Sequence, residues 1–558
     1  MKKTITIIIA ILIIILQIYL VSVQPIDAKV ASTYDDVLMV EQASSILDGK
    51  WLGDYNCLTL VKGPFTPIFM AVARLLHIPF LIAQDVFYII ACVLLIYVFK
   101  NIVKSNILKI ITLTLLIFNP IIYSTELCRA YRDGIYLALI IYLIAFSFAI
   151  FLKRKEKLTK LILYSIGLGI TIGSIFLCRE EIIWIIPYLL ISVIMTIIYI
   201  VKDKEVFQKK QKILLFLIPI FIVILMITPI MFLNYKYYGV FQLNQYWGKE
   251  FKEAYGALTR INPEEEIEKV PVTTECLEKA YEISPKCREL KEYFDGELVN
   301  WAMCGDGSLD QIQGGYFHWA LMRAVESKGY YKDAKTANEF YKQMADEINQ
   351  ACDEGKIECL DYKRVSNVIR FDLEDIYNTI IKCKDTIKYQ YTMTLLKTKV
   401  STSWLARDEE KYQDVIKKFE EVTLTKTSIN GPYETEQDQI RINILDKIKN
   451  IYKKVNPYVF YESILVAVIF IILSIIKKQK NSEKIITLIG LVGLYLCRIF
   501  IITFTSVTMY TSAINVMYLS ATYVIQILFA IFANIFLGQE IKDIILKYRK
   551  KGNKRWKI

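Results

Sequence analysis

Residues 4–23 read TITIIIAILIIILQIYLVSV and follow Met1-Lys2-Lys3. Twenty residues of α-helix rise about 30 Å, the thickness of a bilayer's hydrocarbon core. A secretory signal peptide opens in the same basic-then-apolar order, and Ala28 to Ala31 could mimic a cleavage site. The apolar core of a signal peptide is only about 7–15 residues, so a retained first span is expected. Outward from it, apolar blocks recur at 84–99, 106–123, 134–152, 161–177, 182–201 and 213–233, then at 458–476, 485–505 and 512–537. These make ten candidate spans. Composition agrees: 54% hydrophobic residues and a mean hydropathy of +0.36 exclude an ordinary soluble protein, a disordered chain and a small disulfide scaffold. The expected fold class is an all-α polytopic membrane protein of about ten transmembrane helices.

Lys+Arg number 68 against 56 Asp+Glu, a net +12. A basic excess on one soluble face would suggest nucleic acid. Here much of it lies in runs between apolar blocks, so nucleic acid is not an expected partner. Lys100, Lys104 and Lys109 mark one run; Lys153, Arg154, Lys155, Lys157 and Lys160 mark another. Residues 202–212, 477–484 and the tail from Lys542 to Lys557 complete the set. If all ten blocks span, these runs share one side with Lys2 and Lys3, and the positive-inside rule makes that side cytoplasmic. Both termini are then cytoplasmic in a cell (plasma) membrane. The chain divides into spans 1–7 over 1–233 with a first outside loop at 24–83, an extracytoplasmic segment 234–457, and spans 8–10 with a basic tail over 458–558.

The segment 234–457 is polar and carries apolar residues at helical spacing, as in His318 to Val325 and in the stripe Ala337, Phe340, Tyr341, Met344 and Ile348. A mostly helical domain is expected. Tyr235, Tyr237, Tyr238, Tyr246 and Trp247 read as membrane-interface aromatics at its start. Six of the eleven Cys fall in it: Cys276, Cys287, Cys304, Cys352, Cys359 and Cys383. An oxidising compartment allows at least one disulfide among them, with Cys352 and Cys359 the closest pair along the chain; six free thiols are the alternative. No Cys/His spacing suggests zinc, and His77 and His318 are too few for a His-rich metal site.

The first outside loop opens with Tyr34-Asp35-Asp36 and continues to Lys62-Gly63-Pro64. Two adjacent carboxylates at the membrane face repel, and one can rise toward general-base use. They could also hold a divalent cation through oxygen ligands, or cap the helix that follows. The other short outside loops are rich in charge: Glu126, Arg129, Arg132 and Asp133 in one, Arg179, Glu180 and Glu181 in another, with Arg498 inside the ninth block. Charge at membrane depth is costly and marks function. The basic runs on the other side are nearly all Lys, whereas these loops use Arg, whose rigid fork suits phosphate oxygens. Internal pairing with carboxylates, or snorkelling for Arg498, is the structural alternative.

A first span, an outside loop opening with an acidic pair and a many-span bundle resemble the GT-C glycosyltransferases, the polyprenyl-phosphate-sugar-dependent membrane enzymes that include protein O-mannosyltransferases and aminoarabinose transferases. The stretch Trp51 to Pro64 is similar to the corresponding loop of bacterial members. The resemblance implies an inverting transferase of the bacterial cell envelope. Asp35 or Asp36 would be catalytic, with a divalent Mg or Mn ion as a candidate cofactor. A second acid would come from Glu126, Asp133, Glu180 or Glu181. Lys62, Arg129, Arg132, Arg179 and Arg498 would bind the lipid phosphate. The partners would be a lipid-linked sugar donor and a glycan, lipid or protein acceptor. The segment 234–457 departs from that pattern and leaves the acceptor open. A transporter or flippase for a lipid-linked saccharide would use the same Arg groups without a base, but the chain shows none of the paired halves common in transporters. A membrane scaffold with an outer binding domain would have little use for the intramembrane charges.

Overall fold

The computed structural model describes residues 3–296, 299–300, 302, 311–400, 410–428, 433–477 and 481–555; Cys304 and Lys557 lie outside the described residues. Among the described residues the regular elements are helical, and strand-like pairing is confined to isolated bridges such as Ile261–Cys359. α1 (Lys3–Val21) leads into two loop helices, α2 (Asp36–Leu47) and α3 (Phe65–Leu75). Then come α4 (Phe80–Val98), α5 (Asn106–Ile117), α6 (Asp133–Leu152), α7 (Leu158–Cys178), α8 (Ile186–Lys202), α9 (Lys209–Leu214) and α10 (Leu217–Tyr238). The inserted segment contributes α11 (Lys249–Leu258), α12 (Thr274–Ile283), α13 (Pro285–Arg288), α14 (Lys291–Phe294), α15 (Gly314–Ser327), α16 (Ala334–Asp353), α17 (Leu373–Thr392) and α18 (Gln413–Thr423). α19 (Glu436–Ile476), α20 (Ser482–Thr508) and α21 (Val516–Arg555) close the bundle.

Nine stretches among the described residues are helices long and apolar enough to cross a membrane, and the chain is a multi-pass membrane protein. The expected span at 106–123 is the exception. It forms α5, twelve residues long and therefore about 18 Å, short of a bilayer. The helix stops before Asn119-Pro120 because proline disfavours the α region for the residue before it and has no N–H to give. Turns over 120–123 follow it.

Two ends of the bundle can be told apart by their contacts. At one, Arg154 meets Glu483 at 2.6 Å, Lys155 meets Asp203 at 3.1 Å, Lys212 donates to the Arg154 carbonyl at 2.7 Å, and Gln539 donates to the Ile102 carbonyl at 2.7 Å. At the other, the Asp27 N–H donates to the Cys128 carbonyl at 3.0 Å and the Gln245 N–H to the Leu60 carbonyl at 2.7 Å. The basic runs gather at the first end and the inserted segment at the second. Residues 106–124 join the two ends.

α6 is buried along nearly its whole length, packed between α4 and α7 and touched by α8 and α21. The outer helices turn Ile and Leu outward instead: Ile8, Leu12 and Ile15 on α1, Leu190 and Ile194 on α8, Phe221 and Ile224 on α10. Exposed apolar surface on this scale fits acyl chains. In the inserted segment, α11 to α16 form a layer in which Ala337, Phe340, Tyr341, Met344 and Ile348 are all buried. Cys352, in the last turn of α16, is joined to Cys359 in a disulfide, while Cys276, Cys287 and Cys383 are free.

α17 departs from that layer and packs on α20, α19 and α21. Its polar side faces inward: the Thr386 and Thr503 hydroxyls lie 2.7 Å apart, and Gln390 bonds Gln526 and Tyr495, each at 2.9 Å. Leu373, Tyr377 and Ile380 point outward. α19 runs unbroken through Pro457 for 41 residues, about 60 Å. One rigid element therefore carries the chain from the inserted segment into the bundle. Among the aromatics expected at the membrane interface, Tyr235, Tyr237 and Trp247 are exposed, but Tyr238 is buried, with its hydroxyl donating to the Gly53 carbonyl at 2.9 Å.

Candidate functional site

The end of the bundle that carries the inserted segment gathers charge from several stretches distant in sequence. Asp35 occupies the N-cap position of α2, yet its side chain makes no capping bond. Its carboxylate instead pairs with Lys62 and accepts from the Tyr131 hydroxyl at 2.9 Å. Asp36 points inward with no exposure, and Arg129 holds both of its oxygens: Nε lies 3.1 and 3.2 Å from them and Nη2 makes a further ion pair. Arg129 also lies 3.6 Å from Asp35. Tyr131 is the hub of this half. Its ring centroid is 4.8 Å from the Lys62 ammonium, 5.0 Å from the Arg129 guanidinium and 5.3 Å from that of Arg132. Its hydroxyl also accepts from Lys62 at 2.9 Å.

The other half centres on the Arg179-Glu180-Glu181 turn after α7. Arg132 pairs with Glu180 at 2.9 Å. Arg179 pairs with Asp133 and reaches Glu181 at 3.3 Å. Arg498 enters from α20, 3.7 Å from Glu181, and donates through Nε to the Tyr518 carbonyl at 2.9 Å. Tyr136 and Trp184 line the Arg498 guanidinium, and the Trp184 indole donates to the Tyr136 hydroxyl at 2.9 Å.

Gly63 explains why the first loop can reach this half. A Cβ there would sit 2.1 Å from the Leu177 carbonyl oxygen, and its N–H donates to Glu180 at 2.7 Å. The Lys62-Gly63-Pro64 motif is thus a close backbone approach that delivers Lys62 to Asp35, with Pro64 at the N-cap of α3.

The electrostatics follow from burial. Desolvation alone would raise the Asp35 carboxyl, but Lys62 and Arg129 outweigh it and hold it well below the usual carboxylate range. Desolvation pushes the Lys62 ammonium down to about 8 despite the pull of Asp35. Glu181, against desolvation, is brought down to about 2 by Arg179 and Arg498. Asp35 and Glu181 are the carboxylates left part-open to solvent, their side chains 34% and 42% exposed.

Ten of the eleven residues singled out in the sequence lie in this network: Asp35, Asp36, Lys62, Arg129, Arg132, Asp133, Arg179, Glu180, Glu181 and Arg498. Glu126 makes no ion pair with them among the described residues. Five cations face five carboxylates, so the internal pairing weighed as the alternative does occur. It is incomplete: Arg132 Nε, Arg179 Nε, Arg498 Nη1 and Asp133 Oδ2 are buried without a hydrogen-bond partner. Arg154, an Arg at the opposite end, pairs with Glu483 and Asp203 and likewise leaves its Nε without a hydrogen-bond partner. Sequence reading missed Tyr131, Tyr136, Trp184 and Tyr518. The only signal for Tyr131 was an aromatic between two Arg in Arg129-Ala130-Tyr131-Arg132.

The Asp35–Asp36 pair does not fit a divalent cation in this arrangement. Both Asp36 oxygens face Arg129, and Asp35 is taken by Lys62 and Tyr131. Among the described residues no three His, Cys, Asp or Glu gather as a ligand set.

An all-α, multi-pass bundle with a buried ionic network at one end defines the class. Comparisons with protein-family models and with curated proteins find no match. Two solved structures are similar to it, both of ArnT from Cupriavidus metallidurans. The apo state aligns at 10% identity and a TM-score of 0.31 over 96% of this chain and 77% of that one. The state bound to undecaprenyl phosphate aligns at 10% identity and a TM-score of 0.35 over 97% and 79%.

Proposed function

We propose that the protein is a membrane glycosyltransferase that moves a sugar from a polyprenyl-phosphate-linked donor to an acceptor at the end of the bundle bearing the inserted segment. The observation that carries this reading is the set of unpartnered Arg donors. Burying an N–H without a partner costs about 1–3 kcal/mol, and Arg132 Nε, Arg179 Nε and Arg498 Nη1 leave three such donors in one network. A phosphate offers acceptor oxygens to all of them. The sequence resemblance to GT-C enzymes points the same way.

In the transfer, an acceptor hydroxyl attacks the anomeric carbon while the carbon–oxygen bond to phosphate breaks. The hydroxyl proton goes to Asp35, the more exposed member of the acid pair. The departing lipid phosphate gains negative charge, which Arg132, Arg179 and Arg498 stabilise from positions already fixed by the fold. Asp36 serves as the anchor of Arg129. Donor phosphate also competes for Lys62. Once Lys62 turns to phosphate, only Arg129 and the Tyr131 hydroxyl still oppose burial at Asp35, so its proton affinity rises and the base strengthens when the donor is in place. Single displacement inverts the sugar.

The test is transfer of labelled sugar from a polyprenyl-phosphate donor by purified wild type and Asp35→Asn. Loss of the base should slow turnover by roughly 10²–10⁴ with the fold intact. Undiminished transfer by the Asn variant would remove Asp35 from the mechanism.

A further inference from the structure

α15 turns one face toward the acid-bearing loop, with Trp319, Arg323 and Glu326 at helical spacing. Glu326 accepts from the Cys57 N–H at 3.1 Å. Arg323 donates to the Tyr34 hydroxyl at 3.1 Å and lies 5.1 Å from that ring's centroid. The Trp319 ring is 5.1 Å from the Tyr34 ring and 4.6 Å from the His318 ring, and Tyr246 lies nearly parallel to it at 11° and 6.4 Å. The Lys62 ammonium, already paired with Asp35, sits 5.7 Å from the Trp319 ring. The inserted segment therefore sets the Trp319 ring against Tyr34 and beside the Lys62 that pairs with the proposed base.

Trp319 differs from the buried tryptophans of the bundle. Trp51 and Trp184 donate their indole N–H groups to Asn234 and to Tyr136, both at 2.9 Å. Trp319 is half-buried and its indole makes no hydrogen bond among the described residues. A tryptophan of this kind offers an apolar face with negative charge density and a free donor at its edge. A pyranose ring matches both features. Its C–H face carries partial positive charge and packs on the aromatic face, while its rim of hydroxyls accepts from the indole N–H.

We infer that Trp319 and Tyr34 form a wall that seats a pyranose ring of the acceptor beside Asp35, which makes the acceptor a saccharide. The phosphate-binding Arg groups lie in the other half of the network, so the ring against Trp319 belongs to the acceptor. This rests on the glycosyltransferase reading above.

The test uses the full-length protein in lipid nanodiscs without donor. Methyl glycosides of glucose, galactose, mannose and N-acetylglucosamine are probed by saturation-transfer NMR against wild type, Trp319→Phe and Trp319→Leu, with undecaprenyl phosphate binding measured in parallel. At least one glycoside should bind wild type. Trp319→Phe, which keeps an aromatic face, should retain most of that binding. Trp319→Leu should weaken it about tenfold, the scale of one aromatic contact, with undecaprenyl phosphate binding unchanged. If the Leu variant also loses the lipid phosphate, it is misfolded, and Trp319→Phe, which lacks the indole donor, decides: a partial loss of glycoside binding supports the wall and full retention overturns it. Equal glycoside binding in all three proteins overturns the wall. So does a wild type that binds undecaprenyl phosphate but no glycoside, which would favour a peptide or lipid acceptor and leave the transferase reading standing. A wild type that binds neither overturns both.

Discussion

Lys62 serves two opposed demands. It is 4% exposed and paired with Asp35, and burial brings its ammonium down to about 8 from the ordinary 10.5. Between those two values the folded protein holds fewer protons than the unfolded chain, so the contribution of Lys62 to stability grows as pH rises through that window. Phosphate recognition needs the cation and runs the other way. With a polyprenyl-phosphate donor, kcat/KM should fall as pH rises through about 8. Lys62→Arg keeps its charge at any accessible pH, so that limb should vanish in this variant. A limb that persists unchanged would belong to another group. The acid pair itself was legible in the sequence. Which member faces solvent was not, because adjacent residues differ by about 100° around a helix and only the packing of α2 decides that Asp36 turns inward to Arg129. Tyr131 was illegible for a related reason: a ring that touches three cations reads, along the chain, as one more apolar residue.

The apolar blocks predicted their helices because twenty lipid-facing residues leave the backbone no other way to satisfy its N–H and C=O groups. Two elements escaped that logic. α5 is cut short by Asn119-Pro120, a local rule that a window average hides. α17 buries Thr379, Thr386 and Gln390 and shows Tyr377 and Ile380 outward among Lys382, Lys384 and Asp385, so its polarity placed it in the outer layer on sequence grounds. The contact between the first loop and the end of α7 is a third such element-level feature, since nothing near Gly63 in sequence hints at Leu177. That contact is testable. Gly63→Ala forces a methyl against a backbone carbonyl that cannot rotate away. Overpacking of this kind costs about 1–3 kcal/mol. The melting temperature should drop, and donor use should drop with it, because Lys62 is carried on the displaced strand of loop. Unchanged stability would mean that the loop stands off from α7.

At the scale of the whole molecule, the bundle has two chemically different ends. One collects Lys runs tied to isolated carboxylates such as Glu483 and Asp203. The other collects the balanced ionic network and the inserted helices. Residues 153–160 lie at the first end, and the Cys352–Cys359 disulfide lies in the inserted segment at the second. Positive charge flanking spans is retained on the cytoplasmic side, and a structural disulfide persists in an oxidising compartment. These two rules, applied to opposite ends of one object, demand opposite compartments, and each could have contradicted the other. Topology reporters fused after Lys157 and after Gly355 should therefore report the cytoplasm and the exterior respectively. Reporters on the same side would mean that one of α7, α8 and α10 does not cross. The inserted segment would then lie on the side of the basic runs, away from Asp35 and Lys62, and the transferase reading would lose its site.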